Sequence, residues 1–359
     1  MDTIEEKCIA LRHLLHENAE LSDHEEKTIQ ILKSFLKENT SMDVKDCGKW
    51  LYAKYCGNPS DDEWIGLRAD MDALPSQNGE AAHLCGHDGH SAALCYTGML
   101  LENYKVPHNV ILLFQPAEEI GTGAEECLPL FEQENVKEIY GCHNLPGYPF
   151  GKVFTSMDTF ACASVGIEMS FTGKITHASC PENGISPASL MGKLLEKIDE
   201  LNAKGKSKLC LITVIGADMG SHSYGVAAGY GQLRVTVRAK TDEDLEESVK
   251  ELTGFAREES AAEKLEYAEK FLDPFPATVN DPACARHILN SCHAELLEKP
   301  MRWSEDFGTF LQHKRGAFFG IGSGEECPGL HTEKYEYPDE LLRFTALAFL
   351  GIVTSDEVR

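Results

Sequence analysis

The sequence predicts an α/β fold in two domains: a larger one on a mostly parallel sheet, interrupted by a smaller inserted α+β domain of ferredoxin-like kind. Three observations carry this. The chain has 359 residues, long for a single core. Its first part alternates helical patterns with short apolar runs, the rhythm of buried strands joined by crossover helices. Between about residues 163 and 274 the pattern changes to one-sided strands with two helices, and after 275 the first pattern returns. Residues 1–162 and 275–359 therefore form one domain and residues 163–274 the other.

Each element has its own signature. Ile4, Cys8, Leu11 and Leu15 recur at helical spacing, as do Ile29, Leu32, Phe35 and Leu36. IGLRAD (65–70), NVILLFQ (109–115) and EIYGCHN (138–144) read as buried strands, with a helix over Ala92 to Leu101 between the first two. In the insert, VGIEMSFTG (165–173), LCLITVIGA (209–217) and LRVTVRAK (233–240) read as strands. The last alternates, with Leu233, Val235, Val237 and Ala239 on one face, as in a sheet with one wet side. Ser186 before Pro187 predicts a helix start, and Thr241 with Asp244 three residues on predicts another. A helix at 282–297, a strand at AFFGIGS (317–323) and a helix from Glu340 to Ile352 complete the larger domain.

Composition narrows the function. Acidic residues outnumber basic ones by 58 to 33, a formal charge of −25, which repels nucleic acid and anionic membrane surfaces. No apolar run is long enough to span a bilayer. The opening MDTIEEKCIALRHLL lacks the features of a secretory signal. Thirteen cysteines without a regular framework point to reduced thiols in a cytoplasmic protein. Cys8, Cys95, Cys162, Cys210 and Cys284 sit among apolar neighbours and read as core residues.

The polar clusters follow the apolar strands. IGLRAD runs into MDALP, NVILLFQ into PAEEIGTG, EIYG into CHNLPG, and FFGIGSG leads to CPGLHTE. Ligands collect beyond the carboxyl ends of strands in such sheets. Asp70, Asp72, Glu118, Glu119, His143 and His331 can therefore converge with Cys85 and His87 of HLCGHDGH. Thiolate, imidazole and carboxylate together form a transition-metal inventory. Taken singly, each has a plainer reading: a surface histidine, a solvated glutamate pair, a turn. The pattern alone leaves both readings standing.

LRHLLHENAELSDHEEKT, LRADMDALP, HLCGHDGH, FQPAEEIGTGA, GCHNLPGYPFG, GKITHAS, SEDFG and GLHTEKYEYPDE span nearly the whole chain. In this order they resemble the M20 family of metallopeptidases and amidohydrolases. The likeness is to its aminoacylase branch, which includes hippurate hydrolases, N-acetyldiaminopimelate deacetylases and auxin-conjugate hydrolases. The resemblance implies two divalent metal ions per subunit: zinc, manganese, cobalt or nickel. It implies Cys85, His87, Glu119, His143 and His331 as ligands, with Cys85 a candidate bridge, and Glu118 as general base. It implies that Asp70 orients a ligand imidazole. His177 of the insert, by the same resemblance, reaches the active site of a partner subunit and helps hold the carbonyl oxygen. The insert would then serve as lid and dimerisation domain of a homodimer or higher homo-oligomer. Asp88 and His90 are expected to be structural, and Arg68 a strand-end residue.

The implied reaction is hydrolysis of the amide bond of N-acyl amino acids or related N-acyl amines. A dipeptidase or carboxypeptidase shares this chemistry. A non-catalytic small-molecule or peptide binder and a thiol redox protein are readings of other classes. The second is weakened because no Cys-x-x-Cys is present. Three departures from the family pattern bear on specificity. The segment between MDALP and HLCGHDGH is short. Gly225 stands where the family has an asparagine before its Gly-Thr-Ile-Arg strand. CPENG follows close behind His177.

Overall fold

The computed structural model describes residues 3–206 and 209–355; the ends of the first expected domain, 1–2 and 356–359, lie outside them. The chain divides into two compact units. The first runs to Phe160 and resumes with Thr278–Pro300 and again from Glu305; the second is Ala161–Ala277 with a short return at Met301–Ser304. That return was not expected from the sequence, because four residues carry no composition signal of their own.

The first unit is built on an eight-stranded sheet. Its order is Asp43–Asp46, Leu51–Tyr55, Asn109–Gln115, Trp64–Asp70, Val136–Pro146, Arg315–Gly324, Val153–Thr155, Glu295–Leu296. The four strands from Asn109–Gln115 to Arg315–Gly324 are mutually parallel. Every residue of NVILLFQ is buried, which explains why this strand reads as a continuous apolar run rather than an alternating one. Leu67, Leu112, Phe114 and Phe319 of these strands join one core with Leu11, Leu15, Leu32, Leu36 and Leu94 from the helices.

Helix His87–Leu101 lies in the middle of this core, buried at almost every position, and packs against helices Ile4–Glu17 and Leu341–Thr354. Its first turn sets the site. Gly86, just before it, has φ of 91°, a conformation open to glycine at little cost. A Cβ on Gly89 would come within 2.1 Å of the Tyr337 ring, so the helix approaches that tyrosine only because glycine stands there.

The second unit has a four-stranded antiparallel sheet in the order Leu211–Met219, Tyr230–Ala239, Ala163–Thr172, Glu266–Phe275. Leu233, Val235 and Val237 stand opposite Met169, Ile167 and Val165. These residues share a core with Leu190, Leu194 and Ile198 of helix Ala188–Gly205 and Leu252 and Ala256 of helix Asp242–Ala262. Thr241 caps the second helix, accepting the Asp244 amide at 3.2 Å. The first helix starts later than expected: Pro187, not Ser186, is its cap residue. The helix expected at 282–297 stops at Ser291, where His293 turns left-handed with φ of 50°.

The two sheet edges of this unit differ. Glu266–Phe275 mixes charged and apolar residues, has Asp273 left-handed, and carries Pro274, which confines it to an edge. Leu211–Met219 exposes Val214, Ile215 and Met219. Among the described residues no helix is long and apolar enough to cross a membrane.

Candidate metal centre

The four parallel strands bring their carboxyl ends to one edge of the sheet. Asp70 ends strand Trp64–Asp70 and Asp72 lies just beyond it, Glu118 and Glu119 follow Asn109–Gln115, His143 lies near the end of Val136–Pro146, and Arg315–Gly324 leads to His331. The backbone strains to aim them. Ala117, just before the glutamate pair, has φ of 48°, and His331 has φ of 61°. The His331 amide donates to the Leu84 carbonyl at 2.8 Å, tying its loop to the residue before Cys85.

Cys85 stands at the junction of two donor groups. Its Sγ is 3.4 Å from His143 Nε2 and 3.3 Å from His331 Nε2. Donor atoms of Cys85, His87 and His143 lie within 4.8 Å of one another, and so do those of Cys85, Glu119 and His331. Glu119 carboxylate oxygens are 3.7 Å from His87 Nε2 and 3.6 Å from His331 Nε2. All five ligands expected from the resemblance converge. Glu118 lies beside them, its Oε2 3.9 Å from His87 Nε2. His87 Nε2 and Glu119 Oε1 are buried without a hydrogen-bond partner. Buried polar atoms are normally paired, and a cation between them satisfies both at once. The donor set of thiolate, imidazole and carboxylate fits zinc or a related divalent ion.

The electrostatics point the same way. Burial, then Glu119 and Glu118, push the Cys85 thiol well up. Burial and then Glu305 and Glu119 push Glu118 well up. Burial raises Glu119 to about 7. For His87, burial works downward, but Asp70 and the hydrogen-bonded Asp72 outweigh it and raise the imidazole to about 10.

The surroundings differ from expectation at two residues. The carboxylate that orients His87 is Asp72, with Oδ1 3.1 Å from His87 Nδ1; a buried carboxylate there fixes the ring and leaves Nε2 to face the cluster. Asp70 instead bonds His90 Nδ1 at 2.6 Å, while its Oδ2 is 3.8 Å from His87 Nε2. Arg68 is no mere strand-end residue. It is fully buried and donates to Gln115 Oε1 at 2.8 Å, Asp70 Oδ2 at 2.7 Å and Asp306 Oδ1 at 3.0 Å. Its guanidinium also lies 2.9 Å from Glu305 Oε1, although that oxygen lacks a well-angled hydrogen bond. Glu305 and Asp306 belong to SEDFG; their only sequence signal was that motif. The Asp306 amide donates to Glu118 Oε1 at 3.4 Å.

Asp88 is structural, as expected: it takes Arg12 at 3.2 Å and His16 at 2.8 Å. His90 is buried against Asp70 and Asn144. The short segment after MDALP is a tight hairpin, with Leu74 opposite Ala82 and Pro75 opposite Ala81. His177 lies in the second unit and is exposed, with Nδ1 2.7 Å from Ser179 Oγ. Its strand pairs with the departing segment, His177 opposite Val226, and Gly225 accepts the Ala178 amide at 2.9 Å.

Known proteins resemble this chain over most of its length. Residues 66–353 match the family described as Peptidase family M20/M25/M40. The hippurate hydrolase of Campylobacter jejuni is 27% identical over 92% of this chain and 92% of its own length. The N-acetyl-L-cysteine deacetylase of Bacillus subtilis is 29% identical over 90% of this chain and 82% of its own. A Bacillus subtilis crystal structure, described as a dinuclear metal binding peptidase from the M20 family, superposes with a TM-score of 0.82. It is 23% identical and covers 98% of both chains, a likeness of fold. The chain belongs to the peptidase family M20/M25/M40 and is a hydrolase of amide bonds.

Proposed function

We propose that this protein removes the acyl group from N-acyl amino acids or related N-acyl amines with two divalent metal ions and a glutamate base. The observation that carries the reading is the pair of donor groups sharing Cys85, with His87 Nε2 and Glu119 Oε1 buried and unpartnered. Cys85, Glu119 and His331 would hold one ion, and Cys85, His87 and His143 the other. When bound, the ions supply Lewis acidity to the amide carbonyl and to water. Glu118 takes the proton from the attacking water and delivers it to the departing amine. Glu119 is kept for the cation, and the division works because neighbouring residues leave a turn in different directions. Asp72 holds His87 in the tautomer that presents Nε2.

The reading includes a cytoplasmic homodimer in which His177 of one subunit steadies the carbonyl oxygen at the other's site. Thirteen cysteines suit a reducing compartment, and the apolar edge at Val214, Ile215 and Met219 supports association. The test is a screen of N-acetyl, N-benzoyl and dipeptide substrates against apoprotein reloaded with zinc, manganese, cobalt or nickel. Turnover of acyl amino acids above dipeptides is the expected outcome; dipeptides preferred throughout would make it a peptidase of the same chemistry.

A further inference from the structure

The turn between the first two helices reaches the Glu118–Glu119 pair from behind. Glu25 is buried, and its Oε1 accepts the Ala117 amide at 2.8 Å. The Ala117 carbonyl in turn accepts from the Thr122 and Gly123 amides at 3.3 and 3.1 Å. Ser22 donates to Asp72 Oδ2 at 2.7 Å, and the same oxygen accepts the Glu119 amide at 3.0 Å. The backbone is thus tied to this turn on both sides of Glu118. The turn is itself fixed. The His24 amide bonds the Leu21 carbonyl at 3.0 Å, the Ala73 amide bonds the Glu20 carbonyl at 2.8 Å, and the Glu25 carbonyl accepts the Ile29 amide at 3.0 Å. It lies outside residues 66–353, where the family match runs.

We propose that Glu25, supported by Ser22, is a positioning residue for the catalytic pair. Its carboxylate holds Ala117 in the left-handed conformation from which Glu118 and Glu119 diverge. Alanine resists that conformation, because its Cβ crowds the carbonyl oxygen. Without an acceptor for its amide the turn relaxes, and the two carboxylates move together. The tie needs an oxygen rather than a charge. Burial raises the Glu25 carboxyl to about 7, and the protonated acid still offers its carbonyl oxygen to Ala117. The inference rests on Glu118 and Glu119 having the roles proposed above, and its test therefore has two readouts.

The variants are Glu25→Leu, which removes the acceptor; Glu25→Asp, which withdraws it by one methylene; and Glu25→Gln, which keeps it. Turnover is measured on an acyl amino acid that the wild type cleaves. Hydrogen exchange of the peptide covering residues 113–123 is measured on the same proteins. Glu25→Leu and Glu25→Asp are expected to lower kcat at least about tenfold with KM within threefold, the scale of a catalytic group displaced by less than 1 Å. Exchange at 113–123 rises in both. Glu25→Gln restores turnover and protection to near the wild-type level. If Glu25→Leu fails to fold, Glu25→Asp and Glu25→Gln decide. The inference is overturned if the Asp variant matches wild type in both readouts, or if the Gln variant falls as far as the Asp variant. If the wild type cleaves no acyl amino acid, the functional reading fails, and exchange alone judges the tie.

Discussion

Cys85 Sγ lies 3.3 Å from His331 Nε2, although 246 residues separate them in sequence. The contact exists because the Leu84 carbonyl takes the His331 amide and stabilises a left-handed histidine that would otherwise cost about 1–3 kcal/mol. His143 Nε2 lies 3.4 Å from the same sulfur. Cys85→Ser is therefore expected to lose metal on dialysis. The drop in affinity should exceed the roughly 10–100-fold seen when only a ligand's supporting partner is removed. Metal analysis checks it; unchanged stoichiometry and affinity would return Cys85 to the ordinary buried cysteines.

Glu118 stands next to the donor groups, 3.9 Å from His87. Glu118→Gln should keep fold and metal content while lowering turnover by at least about a hundredfold, the scale of a positioned acid–base group. Single-turnover kinetics with metal analysis on the same sample read both. Near-normal turnover would remove Glu118 from the mechanism.

Asp72 touches His87, Ser22 and the Glu119 amide. Asp72→Asn should weaken metal binding about 10–100-fold, read by chelator competition, without loss of secondary structure. Wild-type affinity would mean that the ring of His87 needs no such support.

The proposed role of His177 is tested by mixing. Glu118→Gln and His177→Ala are each expected to be weak alone. A heterodimer of the two holds one site with both native residues and should recover activity. If subunit exchange is demonstrated by mass spectrometry and none returns, His177 does not act across an interface.

Asp281 caps helix Pro282–Ser291, accepting the Ala283 and Cys284 amides at 2.8 and 3.1 Å and pairing with Arg315 at 3.2 Å. Burial works against its ionisation, but the Arg315 bond and the two amides outweigh it and hold the carboxyl below its ordinary 3.8. Its folded pKa is depressed, so its stabilisation is fully present above about pH 4 and fades as pH falls through the lowered value. Asp281→Ala should cost about 1 kcal/mol at neutral pH. The gap to wild type in urea unfolding should close as the pH drops below 4. A gap independent of pH would assign the loss to packing.

The parallel strands could be read in advance because burial on both faces leaves an uninterrupted apolar run, as in NVILLFQ. Glu266–Phe275 could not: its scattered charges resemble a solvated loop, and only the neighbouring strand Ala163–Thr172 makes it a strand. The candidate ligand residues announced themselves as rare types after strands. Arg68 did not, since two of its partners, Glu305 and Asp306, arrive 237 and 238 residues later. No local pattern distinguishes an arginine bound for a buried carboxylate group from one bound for solvent. Glu25 lay within the family-like stretch LRHLLHENAELSDHEEKT, but nothing local set it apart from any acidic residue at a helix start.

The unequal edges of the smaller sheet have a consequence for self-association. A sheet with two receptive borders can add copies indefinitely and grow into a ribbon. Here Lys270, Asp273 and Pro274 close one border, and only the Val214–Ile215 side can receive another chain. Two copies meeting there by a twofold axis would use up each other's open border. In the proposed homodimer such a contact would close the assembly at a pair.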